Sequence, residues 1–177
     1  MPVLHDHGQL ISQVKINPSV DWRGQHVRAF ELNYSKAPFF AAYWPRLKAL
    51  YDTPWARLGE LNIAGVRLLA GLLGITTPIM TSSQMGITTT KTRRLVDICR
   101  AAGCDVYVAG SGAADYMDFD LMRQEGITVE QQTYVHPVYP QMWAKTPEEF
   151  FPYMSVADLL VNNGGRSLDL LRGIISA

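Results

Sequence analysis

Asp105-Val106-Tyr107-Val108-Ala109-Gly110-Ser111-Gly112 is the stretch that decides the fold. Its β-branched and aromatic run predicts a strand, and the glycines after it predict a turn into a short helix through Tyr116. Working outward, Thr88–Ala102 predicts a helix, with Lys91, Arg93 and Arg94 on one side and Leu95, Val96, Ile98 and Cys99 on the other. Ile75–Thr81 before it is expected as a short strand, Asp118–Gln124 as a helix, and Ile127–Val135, which alternates, as a strand. Strand-helix alternation of this kind implies a parallel three-stranded core with right-handed crossovers.

The flanks add helices. Gln9–Ile16 alternates and is expected as an edge strand closed by Asn17-Pro18. Ser19 is a candidate N-cap for a helix through Tyr34, whose Trp22, His26, Phe30 and Asn33 share one face. A second helix is expected over Pro38–Tyr51, with Pro45 inside it. A third opens at Asp52-Thr53-Pro54 and closes at Gly74. His136–Pro152 is rich in proline and aromatics and reads as an ordered loop. Ser155 caps a helix through Asn162, and Ser167–Ser176 is a terminal helix. The expected fold is α/β: one domain over residues 1–177, with a small, mostly parallel sheet and flanking helices in two or three layers.

Composition narrows the class. Sixteen basic residues balance sixteen acidic ones, apolar residues make up 47%, and charged residues 18%. A chain of this length buries about 70% of its unfolded surface, so disorder is excluded. Zero net charge gives no global pull toward nucleic acid or anionic lipid. The most apolar stretch, Ile63–Ile75, is broken by Gly65, Arg67, Gly71 and Gly74, so no membrane span is expected. Cys99 and Cys104 fit neither a disulfide scaffold nor a Cys-x-x-Cys pair and read as packing residues. His5-Asp6-His7 lacks a third ligand. No metal and no cofactor is expected, and a cytoplasmic setting fits.

Three segments follow predicted strands, where open parallel sheets bind ligands. Gly110, Ser111 and Gly112 resemble a phosphate-binding turn, but Asp115 stands at the third position of the dinucleotide fingerprint, so an ordinary glycine turn explains them better and a dinucleotide fold is not supported. Ser82 and Ser83 are donors or a nucleophile, or else a helix-capping pair. His136 is a general base or acid with Tyr139 and Gln141 as hydrogen-bonding neighbours, or else a histidine that fixes a proline-rich loop. Tyr34 and Lys36, at a helix end, are the better ligand candidates of an aromatic cluster that includes Phe39 and Tyr43. His26 beside Trp22 reads as a core or groove histidine.

Several stretches, in order, resemble the WbqC-like proteins. They are Trp22-x-x-x-His26, Tyr34-Ser35-Lys36-Ala37-Pro38-Phe39-Phe40-x-x-Tyr43, Leu61-Asn62, Leu73-Gly74-Ile75, Ser82-Ser83 and Asp105–Gly110. Tyr139-x-Gln141 and Ser155-Val-Ala-Asp158-Leu-Leu-Val-Asn162-x-Gly164 complete the series. The resemblance implies a cytoplasmic protein of bacterial surface-polysaccharide (O-antigen) or secondary-metabolite biosynthesis. The reaction it suggests is acyl or aminoacyl transfer to an amino-sugar or other amine. The partner is then a small-molecule substrate, either an activated acyl donor or a nucleotide-sugar. A non-catalytic binding or scaffold role in glycan assembly stays open. The family's pattern begins with an earlier strand and a Gln-Pro turn, so the resemblance implies a sheet lacking that N-terminal strand.

Overall fold

The structure, a computed structural model, describes residues 1–110 and 112–173. Its contacts divide the chain into two compact units: Met1–Thr77 together with the chain from His136 on, and Pro78–Val135. Helices and short strands mix in an α/β arrangement.

In the first unit, β1 (Val3–Leu4) pairs antiparallel with β2 (Lys15–Ile16). Three helices follow: α1 (Trp22–Tyr34), α2 (Phe40–Asp52) and α3 (Leu58–Leu73). After the second unit the chain returns as α6 (Val156–Asn163) and α7 (Ser167–Leu171). Trp44, Leu47, Ala37 and Val161 form the buried centre, with Phe30, Tyr34 and Leu69 packed around it. Phe30 stacks on Trp44 with centroids 4.8 Å apart, and the Trp44 indole donates to Glu31 at 3.0 Å. Phe39 is 40% exposed but lies against Gly164.

In the second unit, α4 (Lys91–Ala102) and α5 (Phe119–Gln124) flank a parallel pair, β3 (Val106–Ala109) with β4 (Thr128–Gln131). Val96, Cys99, Met122 and Ile127 are its core. Glu125 accepts from Arg93 at 2.6 Å and also pairs with Arg100.

Several expectations are corrected. Ile75–Thr81 is not a strand, so the parallel sheet has two strands among the described residues, not three. Pro78 lacks the N–H that a ladder needs and restricts Thr77 before it. Gln9–Ile16 is mostly a turn, with a 3-10 segment at Ile11–Gln13, and only Lys15–Ile16 pairs. Leu10 and Ile11 are 64% and 74% exposed, so the alternation buries only its far end, at Val14 and Ile16. Strand β4 stops at Gln131, short of the expected Val135, which is 86% exposed. Asp21, not Ser19, caps α1, accepting the Gly24 N–H at 3.0 Å. Cys104 is exposed and contributes no packing. The predicted helix over Ser167–Ser176 is seen to Leu171, and its last residues lie outside the described ones. Among the described residues no helix is long and apolar enough to cross a membrane.

Candidate functional site

The richest polar arrangement lies in the first unit, where the loop from His136 runs beside α6. Ser155 accepts the Ala157 N–H at 3.2 Å, which starts α6 and places Asp158 in its first turn. That position puts the side chain among apolar neighbours, and Asp158 is only 4% exposed. A buried carboxyl group must be fully bonded. Oδ2 accepts the Tyr139 hydroxyl at 2.9 Å and the Gln141 amide at 3.1 Å, and Oδ1 accepts the Asn162 amide at 3.2 Å. The Tyr34 phenol, from the end of α1, also comes within electrostatic reach of Asp158. The bonded groups are all donors, which suits an acceptor-only carboxylate.

The bonding spreads outward. Gln141 exchanges both hydrogen bonds with the Phe151 backbone, at 3.0 and 2.9 Å. The Asn162 side-chain oxygen Oδ1 accepts the Met142 N–H at 2.8 Å, and the Asn163 side chain donates to the Pro140 carbonyl at 3.2 Å. The loop is therefore ordered by side chains of α6. Burial first, and then the neighbouring Asp158, push the phenols of Tyr34 and Tyr139 well above the usual tyrosine range. Both phenols therefore hold their protons, and neither acts as a base.

His136 stands beside this cluster, its ring 6.2 Å from Tyr139, 5.7 Å from Phe150 and 5.4 Å from Tyr153. Its Nε2 accepts the Tyr153 N–H at 3.2 Å. Nδ1 therefore carries the proton and donates to the Pro137 carbonyl at 2.8 Å. Tyr153 itself is held at φ +61°, a left-handed conformation unusual for a tyrosine, and is 86% exposed.

Of the residues singled out from sequence, Tyr34, Tyr139 and Gln141 are brought together by Asp158, with His136 alongside. Lys36 is exposed in the turn after α1. Ser82, Ser83, Gly110 and Gly112 belong to the second unit, and Ser111 lies outside the described residues. Ser82 accepts from Arg94 at 2.8 Å, and the Ser83 hydroxyl is 3.2 Å from that of Thr81, which also donates to Gln84. Gly110 and Gly112 have ordinary φ, and a Cβ on either would meet nothing, so the backbone does not require glycine there. The helical segment they lead into, Ala113–Asp115, is a single 3-10 turn.

Asp158 and Asn162, which hold the cluster together, were not singled out from the sequence as site residues. Their signal was present: polar residues four apart that bracket the apolar run Leu159, Leu160 and Val161. Among the described residues no group of three or more His, Cys, Asp or Glu is placed to share a metal ion.

The family model of the WbqC-like proteins matches residues 1–170. The Mycobacterium tuberculosis protein called "Uncharacterized protein Rv1507c" is 33% identical over 154 residues, which is 86% of this chain and 65% of that protein. The chain thus spans about two thirds of the length of the curated relative it matches. No solved structure matches it. The match of the family model over nearly the whole length makes the chain a member of the WbqC-like protein family.

Proposed function

We propose that this chain serves bacterial surface-polysaccharide or secondary-metabolite biosynthesis in the cytoplasm as an acyl- or aminoacyl-transfer enzyme. It would move the acyl group of an activated donor to an amino-sugar or another amine. The observation that carries this is the convergence of Tyr34, Tyr139 and Gln141 on buried Asp158, beside His136. In such a step the amine nitrogen attacks the acyl carbon, the bond to the donor's leaving group breaks, and the amine proton passes to a base. Nε2 of His136 carries the lone pair for that role, and it is released when the strained, exposed Tyr153 backbone moves away. In the second unit, Ser82, Ser83 and the turn of Gly110, Ser111 and Gly112 are proposed as anion-holding groups in their own right.

One observation favours a second reading, a binding or scaffold protein of glycan assembly. Both ring nitrogens of His136 are engaged by backbone, as expected of a histidine that simply fixes its loop.

Thiol release separates the two. The chain is mixed with acetyl-coenzyme A and a nucleotide-linked amino sugar, and free thiol is followed with a chromogenic disulfide. Acceptor-dependent release that His136→Gln lowers at least a hundredfold supports transfer. Saturable binding of the amino sugar without thiol release supports the scaffold.

A further inference from the structure

At the start of α1 the first unit holds a cavity of about 650 Å³, a size usual for small-molecule sites, and none of its lining residues belongs to the Asp158 cluster. Its walls stand on fixed backbone. Ile16 donates to the Ala56 carbonyl at 3.0 Å, and Leu58 donates to the Val14 carbonyl at 3.0 Å. These bonds tie the strand that carries Lys15 to the segment that carries Trp55. Between β2 and α1 the Asn17 side chain accepts the Ser19 N–H at 2.9 Å, which closes the turn on the remaining side.

Three observations define what it would take. First, Nε of Arg23 is buried and has no hydrogen-bond partner among the described residues. The guanidinium lies over the Trp22 ring at 5.6 Å, so stacking and not an acid holds it at the wall. An unmet donor on a charged group is costly to bury. A small turn of the plane would give the Nε–H and a neighbouring Nη–H to one ligand oxyanion and relieve that cost. Second, Lys15 lines the same cavity, and among the described residues neither cation sits in an ion pair. The acid on the wall, Asp21, spends Oδ1 on the Gly24 N–H. A phosphate group, close to doubly charged at pH 7, answers both cations, whereas a carboxylate answers one. Third, the half-buried Trp55 indole is pinned by its N–H, which donates to the Leu50 carbonyl at 2.7 Å, and its ring offers the cavity a flat apolar surface.

We propose that this cavity binds a nucleoside diphosphate, its phosphates held by Arg23 and Lys15 and its base laid against Trp55. That group is common to a nucleotide-sugar and to the nucleotide end of coenzyme A. The proposal deepens the transfer reading by giving its substrate a place, and it rests on that reading only for the ligand's role. The unpartnered Arg23 nitrogen carries it, because a cationic donor buried without an acceptor adds nothing to the fold, and a phosphate oxygen supplies the missing bond.

The test is a calorimetric titration of the full chain with uridine diphosphate, adenosine diphosphate, uridine, inorganic phosphate and orotate, a pyrimidine that carries a carboxylate. At least one diphosphate is expected to bind tenfold or more tightly than uridine, phosphate or orotate. Preference for the uridine form assigns the cavity to a nucleotide-sugar, and preference for the adenosine form assigns it to coenzyme A. Arg23→Met keeps a stem over Trp22 and removes the donors; it should weaken the diphosphate at least tenfold, with the urea midpoint unchanged or raised. Lys15→Met should weaken it about threefold. Should Arg23→Met perturb folding, Arg23→Lys, which keeps the charge without the fork, gives the same comparison with a smaller loss. No diphosphate binding, equal affinity for orotate or uridine, or binding that survives both the Arg23 and Lys15 variants would overturn the proposal. Diphosphate binding lost in Arg23→Met, with no thiol release in the transfer assay, would leave the cavity assigned and sink the transfer reading. Thiol release that Arg23→Met leaves unchanged would sink the cavity and spare the transfer reading.

Discussion

The hydroxyl of Tyr139 donates to Oδ2 of Asp158 at 2.9 Å, and the same oxygen takes the Gln141 amide at 3.1 Å. One atom thus joins the loop to α6. Removing it strands several donors in an apolar setting. Asp158→Ala is expected to destabilise the protein by about 3 kcal/mol, the scale for leaving buried polar partners unpaired. Asp158→Asn, which keeps an acceptor, should lose less. Urea unfolding measures both, and a loss under about 1 kcal/mol for the alanine variant would contradict the network.

The phenols of Tyr34 and Tyr139 are pushed up by burial and then by Asp158. Their protonated forms are therefore favoured by folding. The stabilisation is complete below the unfolded value, near pH 10, and is lost as pH climbs above it. Stability should fall from about pH 10 upward, and the fall should be shallower in the double variant Tyr34→Phe, Tyr139→Phe. Chemical unfolding at several alkaline pH values checks this; identical slopes in both proteins would refute it.

Gly164 ends α6 at φ +59° and ψ −133°, and a Cβ there would lie 2.6 Å from Phe39 Cδ1. Gly164→Ala faces both backbone strain and a collision with a ring, so a loss of about 2 to 4 kcal/mol is expected. Phe39→Ala in the same chain relieves only the collision. A double-mutant cycle should therefore show favourable coupling with a remaining deficit. No coupling would mean that the ring swings aside freely.

His136 fixes the loop through two backbone bonds. His136→Ala is expected to expose the segment around Tyr153 to proteolysis at least tenfold faster, while the midpoint of global unfolding changes by under about 1 kcal/mol. In the neutral imidazole, nitrogen resonances should show the proton on Nδ1. A proton on Nε2 would disprove the Tyr153 bond.

Local chemistry was readable and long-range partnership was not. The cap at Ser155, the left-handed stop at Gly74 and the helical stripes were legible because each depends on residues within a turn or two. Ile75–Thr81 looked like a strand because its residue types suit one, but strand formation depends on a neighbour to pair with, and Pro78 breaks the ladder. The site followed the same division. Tyr34, Tyr139 and Gln141 stood out as polar residues in exposed-looking segments, whereas Asp158 looked like an ordinary first-turn acid. Its partners come from distant parts of the chain, which no local pattern encodes.

That distance also orders the folding of the first unit. Asp158 draws donors from Tyr139 and Gln141, in a loop reached only after the whole second unit has been made. The same loop is tied back to α1 by the Trp143 indole, which donates to the Asn33 carbonyl across 110 residues of sequence. Until both segments arrive, the acid stays in water, because dehydrating it alone is too costly. Closure of this ring is therefore a late event in folding, paced by the bringing together of the two chain ends that flank the inserted second unit.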